Sequence, residues 1–189
     1  KRRPRRMMRA RLALVLLGCA ALSGCSTVSS LFSSSGSSGP PAASCPTAAI
    51  LRPLSQTAAF APGAARQPTG VAFYGVLSDV SIKCDRASGG LRAALDVVII
   101  GERGPSAGGG TGVDLQYFVA ATGPDQAILS KRSYAVHIDI PVNARRAGVT
   151  DHIEEMLPLA GPNVGDLNIV LGFQQNPEIV EFYRHFRGR

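Results

Sequence analysis

Leu91-Arg92-Ala93-Ala94-Leu95-Asp96-Val97-Val98-Ile99 carries an apolar residue at every odd position. Successive side chains of a strand point to opposite faces, so Leu91, Ala93, Leu95, Val97 and Ile99 line one buried face. The same period extends outward in both directions. Val76, Val80, Ile82 and Cys84 share a face against Asp79, Ser81, Lys83 and Asp85. Val113, Leu115, Tyr117 and Val119 form another; Tyr134, Val136, Ile138 and Ile140 follow, opposite Ser133, His137 and Asp139. Leu167, Ile169, Leu171 and Phe173 give a late strand. Residues 47–51 predict a weaker strand, and 149–157 either a strand or a short helix. Ser88-Gly89-Gly90, the glycine-rich run 104–112 and Gly123-Pro124-Asp125 separate these runs as turns. Short strands at this spacing predict a mostly β fold: an immunoglobulin-like antiparallel β-sandwich of about seven strands. With no Trp in the chain, the Cys–Trp–Cys signature of antibody domains is absent, so the expectation concerns architecture alone.

The chain closes on a different period. Ile179, Phe182, Tyr183 and Phe186 fall at i, i+3, i+4 and i+7, one face of an amphipathic helix. Asn176 suits the N-cap, Pro177 the first helical position and Glu178 the positive end of the dipole; Arg184, His185 and Arg187 suit its other end. Gly172-Phe173-Gln174 leading into this C-terminal α-helix resembles the close of uncharacterised lipoproteins from Gram-negative bacteria, a likeness that implies no activity.

The first residues read as an export signal. Positions 1–11 hold seven basic residues and no acid, positions 12–22 are almost wholly apolar, and Ser23 and Gly24 are small. The apolar run is too short to span about 30 Å of hydrocarbon as a helix. The chain does not begin with Met, and Met7 or Met8 is the expected initiator. Leu22-Ser23-Gly24-Cys25 resembles the lipobox of bacterial lipoproteins. That resemblance implies cleavage after Gly24, a diacylglyceryl thioether on Cys25 and acylation (palmitate) of the new amino terminus. Ser26, rather than Asp, after the cysteine implies sorting to the outer membrane, facing the periplasm. The expected organisation is a signal peptide at 1–24, a lipidated cysteine and flexible Ser/Gly/Pro linker at 25–44, and a sandwich domain with its helix at 45–189. The linker composition cannot bury enough apolar surface to order itself and would span about 25 Å as a coil.

Cleavage changes the electrostatics. The whole chain has 20 basic and 13 acidic residues, a net charge of +7. Seven of the basic residues lie in the signal, and the remainder is formally neutral. The basic excess is therefore no footprint for nucleic acid. Cys19 leaves with the signal and Cys25 takes lipid, so Cys45 and Cys84 remain. In an oxidising compartment such a pair predicts one disulfide. It would close a loop of about 40 residues, worth about 4 kcal/mol by chain entropy.

Polar groups offer few constellations. His137 and Asp139 share a strand face, and His152 stands near Asp151 and Glu154; His137, Asp139 and His152 are the candidate ligand residues. Zinc needs three or four convergent ligands, and no metal-binding spacing is present, so no metal and no cofactor are expected. The glycine run lacks the Lys of a phosphate-binding loop, and no Gly-x-Ser-x-Gly elbow occurs. Lys131, Arg132, Arg145 and Arg146 are candidate basic contacts for headgroups, glycans or an acidic partner. The expectation is a non-enzymatic, lipid-anchored envelope protein. It would act as a binding or scaffolding module with an envelope protein partner, accessory to outer-membrane assembly or transport. The alternative is a small-ligand or metal-binding protein or an unrecognised hydrolase.

Overall fold

A computed structural model of the protein describes residues 45–157 and 167–186. The alternation at 91–99 lies in the centre of a long hairpin. In chain order the strands are β1 (Thr47–Ile50), β2 (Gln56–Phe60), β3 (Val71–Ala87), β4 (Gly90–Arg103), β5 (Gly112–Thr122), β6 (Ile128–Asp139), β7 (Arg146–Leu157) and β8 (Asn168–Phe173), followed by helix α1 (Pro177–His185). They form two four-stranded sheets, β1-β8-β5-β6 in front and β2-β3-β4-β7 behind. All pairings are antiparallel except β1 with β8.

The described residues thus hold eight strands, not about seven. The added one is β2, whose Gln-Thr-Ala-Ala-Phe carries little alternation. The ambiguous stretch 149–157 is strand, because it pairs along β4 from Leu157 opposite Leu91 to Arg146 opposite Glu102. A helix there would strip β4 of half its ladder.

The two sheets face each other over one core. Leu91, Leu95, Val97 and Ile99 of β4 meet Leu115, Tyr117 and Val119 of β5 and Ile169, Leu171 and Phe173 of β8. The inward face of β4 is the odd-numbered set, as its pattern predicts. The β3–β4 turn needs only Ser88 and Gly89, and Gly89 sits at φ +97°, a region a Cβ disfavours. Close approach explains a second glycine. A Cβ on Gly75 would stand 2.6 Å from Leu115 Cδ1 across the core.

One face assignment changes. Val80, Ile82 and Cys84 point to the core, but Val76 does not share their side. Leu77 pairs with Ile99 and Asp79 with Val98, so Ser78 is an extra residue. A bulge shifts the alternation by one, and Leu77, Gly75 and Phe73 take the inner positions before it.

Helix α1 begins as its residues require. Asn176 Oδ1 accepts from Ile179 N at 2.9 Å, and Pro177 follows in the first turn. Ile179 and Phe182 pack with Ala58 and Val71, against Phe60, Tyr74 and Tyr183, on the outer side of the back sheet. Phe182 meets Phe60 edge-to-face at 5.2 Å. Phe186, expected on the buried face, is 42% exposed because the backbone leaves helical geometry there. No described helix is long and apolar enough to cross a membrane.

Candidate functional site

β5 is eleven residues long and β8 only six, and this mismatch opens a gap in the front sheet. β8 pairs with β5 from Thr122 to Tyr117 and then turns away towards α1. The ladder phase shows what the gap exposes. Ile140 N donates to Thr111 O at 2.6 Å, which sets Thr111, Val113 and Leu115 to bond towards β6. Asp114 and Gln116 turn their backbone groups the other way. Gln116 O duly accepts Gln174 N at 2.9 Å. N-terminal of that rung, β5 has β6 alone beside it among the described strands.

The opposite wall is another strand edge. β2 is the outermost strand of the back sheet. Leu77 N donates to Ser55 O at 2.8 Å, so Ser55, Thr57 and Ala59 face β3, and Gln56 and Ala58 face outward. Gln56 O accepts from the Gln175 side chain at 2.7 Å. Between the two edges lies a hollow of about 580 Å³, lined by residues including Ala58, Ala59, Leu115, Gln116, Gln174 and Gln175. Arg66 and Glu178, paired at 2.9 Å, stand at the α1 side of its rim, and Asp114 at the other.

Of the candidate ligand residues, His137 and Asp139 meet, and His152 lies apart from them. His137 lies on β6 with its ring between two carboxylates, Nδ1 2.7 Å from Asp114 Oδ1 and Nε2 3.3 Å from Asp139 Oδ1. The contact with Asp114 raises the His137 pKa above its ordinary value. His152 lies on β7 in the other sheet, 2.6 Å from Asp96, whose pKa it lowers by that hydrogen bond. Both histidines occupy the outward positions of their strands, on opposite sides of the sandwich. Among the described residues no group of three His, Cys, Asp or Glu is placed to hold a metal ion. Asp114 and Asp96 are cross-strand partners that sequence spacing alone does not reveal, since each lies far from its histidine along the chain.

The four basic candidates do not form one patch. Lys131 and Arg132 are neighbours on β6 and point to opposite faces. Lys131 Nζ sits 4.3 Å from the Phe118 ring centroid on the outer side. That side also carries an apolar hollow of about 510 Å³ that includes Ala49, Leu51, Phe118, Ala120 and Val170. Arg132 turns towards the open side of the core and pairs with Glu155 at 3.3 Å. Arg145 pairs with Glu102 at 3.1 Å, and Arg146 stands exposed at the start of β7.

Arg132 leads to a polar network not anticipated from sequence. Glu155, 6% exposed, accepts from the Tyr134 hydroxyl as well as from Arg132. Tyr117 stacks on Tyr134 at 5.5 Å and donates to Asp151 Oδ2 at 2.7 Å. These contacts join β5 and β6 to β7, closing the sheets along one side. Burial raises both phenol pKa values, and the carboxylate hydrogen bonds push the same way.

Cys45 and Cys84 form a disulfide with Cα atoms 5.4 Å apart. It ties the chain two residues before β1, in the front sheet, to β3 in the back sheet. Cys25, the expected signal and the linker lie outside the described residues. No family model matches the chain, and neither the curated proteins nor the solved structures hold a match to it.

Proposed function

We propose that this chain is a lipid-anchored, periplasm-facing protein of the outer membrane, held by lipid on Cys25. Its sandwich serves as a non-catalytic binding or scaffolding module, accessory to outer-membrane assembly or transport. The observation that carries the binding role is the gap between the β5 and β2 edges. It is a concave site lined by outward-turned backbone and three glutamine side chains, groups that recognise rather than react. The disulfide supports export to an oxidising compartment. It also links the two sheets, which supports an immunoglobulin-like architecture, although β2, β3 and β4 lie side by side as a plain meander.

The anchor is tested by intact mass and fractionation of the full chain expressed in a Gram-negative host. Lipid mass and membrane recovery should both depend on Cys25. A Cys25→Ser chain that matches the parent in both would overturn the anchor. Photocrosslinkers placed around the sandwich should capture a discrete neighbour in intact envelopes, and no capture from any face would overturn the binding role.

A further inference from the structure

We propose that the gap beside β5 is an acceptor groove for an extended, lysine- or arginine-bearing peptide from another protein, which adds a short strand where β8 leaves off. The inference rests on the binding-module reading and specifies its partner.

The front sheet is incomplete over one stretch. β5 continues N-terminally past the last β8 rung through Leu115, Asp114, Val113 and Gly112. Four residues of strand extend about 13 Å, room for a short peptide. Asp114 offers one N–H and one C=O into that space by ladder phase. A further extended segment would continue the row begun by Gln174 N on Gln116 O.

The facing edge reinforces this. Gln56 and Ala58 turn their backbone groups out of the back sheet. Gln56 O already takes a donor, the Gln175 amide, in the manner of a neighbouring strand. A peptide in the hollow therefore lies between two strand edges, each with unshared ladder positions. Few features other than an extended backbone complement both.

Charge selects among peptides. Asp114 lines the hollow at one lip with its side chain 86% exposed, and on β6 behind it His137 stands between Asp114 and Asp139. At the other lip Arg66 is matched by Glu178. The net acidic rim favours a cationic flank on the occupant.

The test uses the full lipidated chain and two synthetic peptides, acetyl-Lys-Val-Thr-Val-Thr-Lys-amide and the same sequence N-methylated at alternate residues. N-methylation removes backbone donors and leaves side chains and charge in place. The parent peptide should shift and protect the amide signals of Asp114 and Ala58, and the methylated form should bind at least about tenfold more weakly, the worth of a hydrogen bond or two. Equal binding of the two, or shifts confined to other residues, would overturn strand addition. Photocrosslinkers at Gln116 and, on the outer side of the back sheet, at Glu154 separate this failure from that of the module reading. Crosslinks from Gln116 that the parent peptide alone competes away support the groove. Crosslinks from Glu154 only would overturn the groove and leave a binding module. Crosslinks from neither would overturn the groove, and the module reading falls with it when no other face captures a neighbour.

Discussion

Tyr117 and Asp151 join the two sheets through a hydrogen bond of 2.7 Å from phenol to carboxylate. Tyr117 belongs to β5 and Asp151 to β7, strands that share no ladder. Together with Tyr134 and Glu155 the pair closes the sandwich where the core would otherwise meet solvent. Tyr117→Phe keeps the ring and its stacking on Tyr134 but leaves Asp151 without that donor. The expected loss is about 1–2 kcal/mol in urea unfolding, against less than that for an exposed tyrosine.

The same phenols fix the alkaline limit of stability. Tyr117 and Tyr134 have pKa values raised above the ordinary 10.0, by burial first and then by their carboxylate partners. A raised folded pKa means stability that is complete below pH 10. It declines as pH climbs through the folded values, because the unfolded phenols ionise first. Stability measured from pH 9 to 12 should therefore fall, and the double variant Tyr117→Phe, Tyr134→Phe should fall less steeply. Tyr183, also raised by burial, leaves a residual slope. An unchanged slope in the double variant would contradict the assignment.

The Cys45–Cys84 bond closes a loop 39 residues apart in sequence and spans both sheets. Reduction, or the double variant Cys45→Ser, Cys84→Ser, should lower unfolding stability by about 4 kcal/mol on the chain-entropy account. β1 should suffer most, since it pairs with β8 alone in the sheet. Hydrogen exchange in residues 47–50 should accelerate more than in β4. Uniform acceleration across both would show that the bond has no special hold on β1.

Much of this fold is legible in the sequence, for a physical reason. Strands half-buried on one face must alternate, and β4 to β6 do so over their inner positions. β2 escaped because Ala58 and Ala59 are apolar on both faces. Ala58 lies under α1, while Ala59 faces the core. The phase shift at Ser78 escaped because a bulge adds a residue without changing composition. The site escaped for a deeper reason. Whether Asp114 meets His137, or β8 stops short of β5, is decided by register and strand length, and neither is local. The disulfide, by contrast, followed from the export reading, which set Cys19 and Cys25 aside and left one pair for an oxidising compartment.

His137 gives a titration that reads the rim of the gap directly. Asp114 and Asp139 favour its protonated form, so its midpoint by NMR should lie above the ordinary 6.5. Asp114→Asn should move it down towards 6.5, and Asp139→Asn should move it less, being the longer contact. Any stabilisation from the pair is complete below pH 6.5 and is lost as pH rises through the folded midpoint. A midpoint that ignores Asp114→Asn would show that the two side chains do not meet in solution.

Arg103 explains how a glycine-rich connection stays ordered. Its Nη2 donates to Ile140 O at 2.9 Å and to Gly110 O, its Nη1 to Gly108 O at 3.4 Å and its Nε to Pro141 O at 3.4 Å. The guanidinium also stands 5.7 Å from the centre of the Phe73 ring. One planar group thereby holds two loops together at the end of β4. A lysine ammonium cannot serve this set, because its donors do not form a planar fork. Arg103→Ala should cost about 1–2 kcal/mol and Arg103→Lys nearly as much. The local signature is sharper than the global one: amide exchange across residues 104–111 should rise while the core of β4, at Leu95 and Val97, stays protected. If exchange in the loop matches that of the parent, the carbonyl contacts are incidental and the loop is held by Ser106 N on Val71 O and Gly104 N on Ala72 O instead.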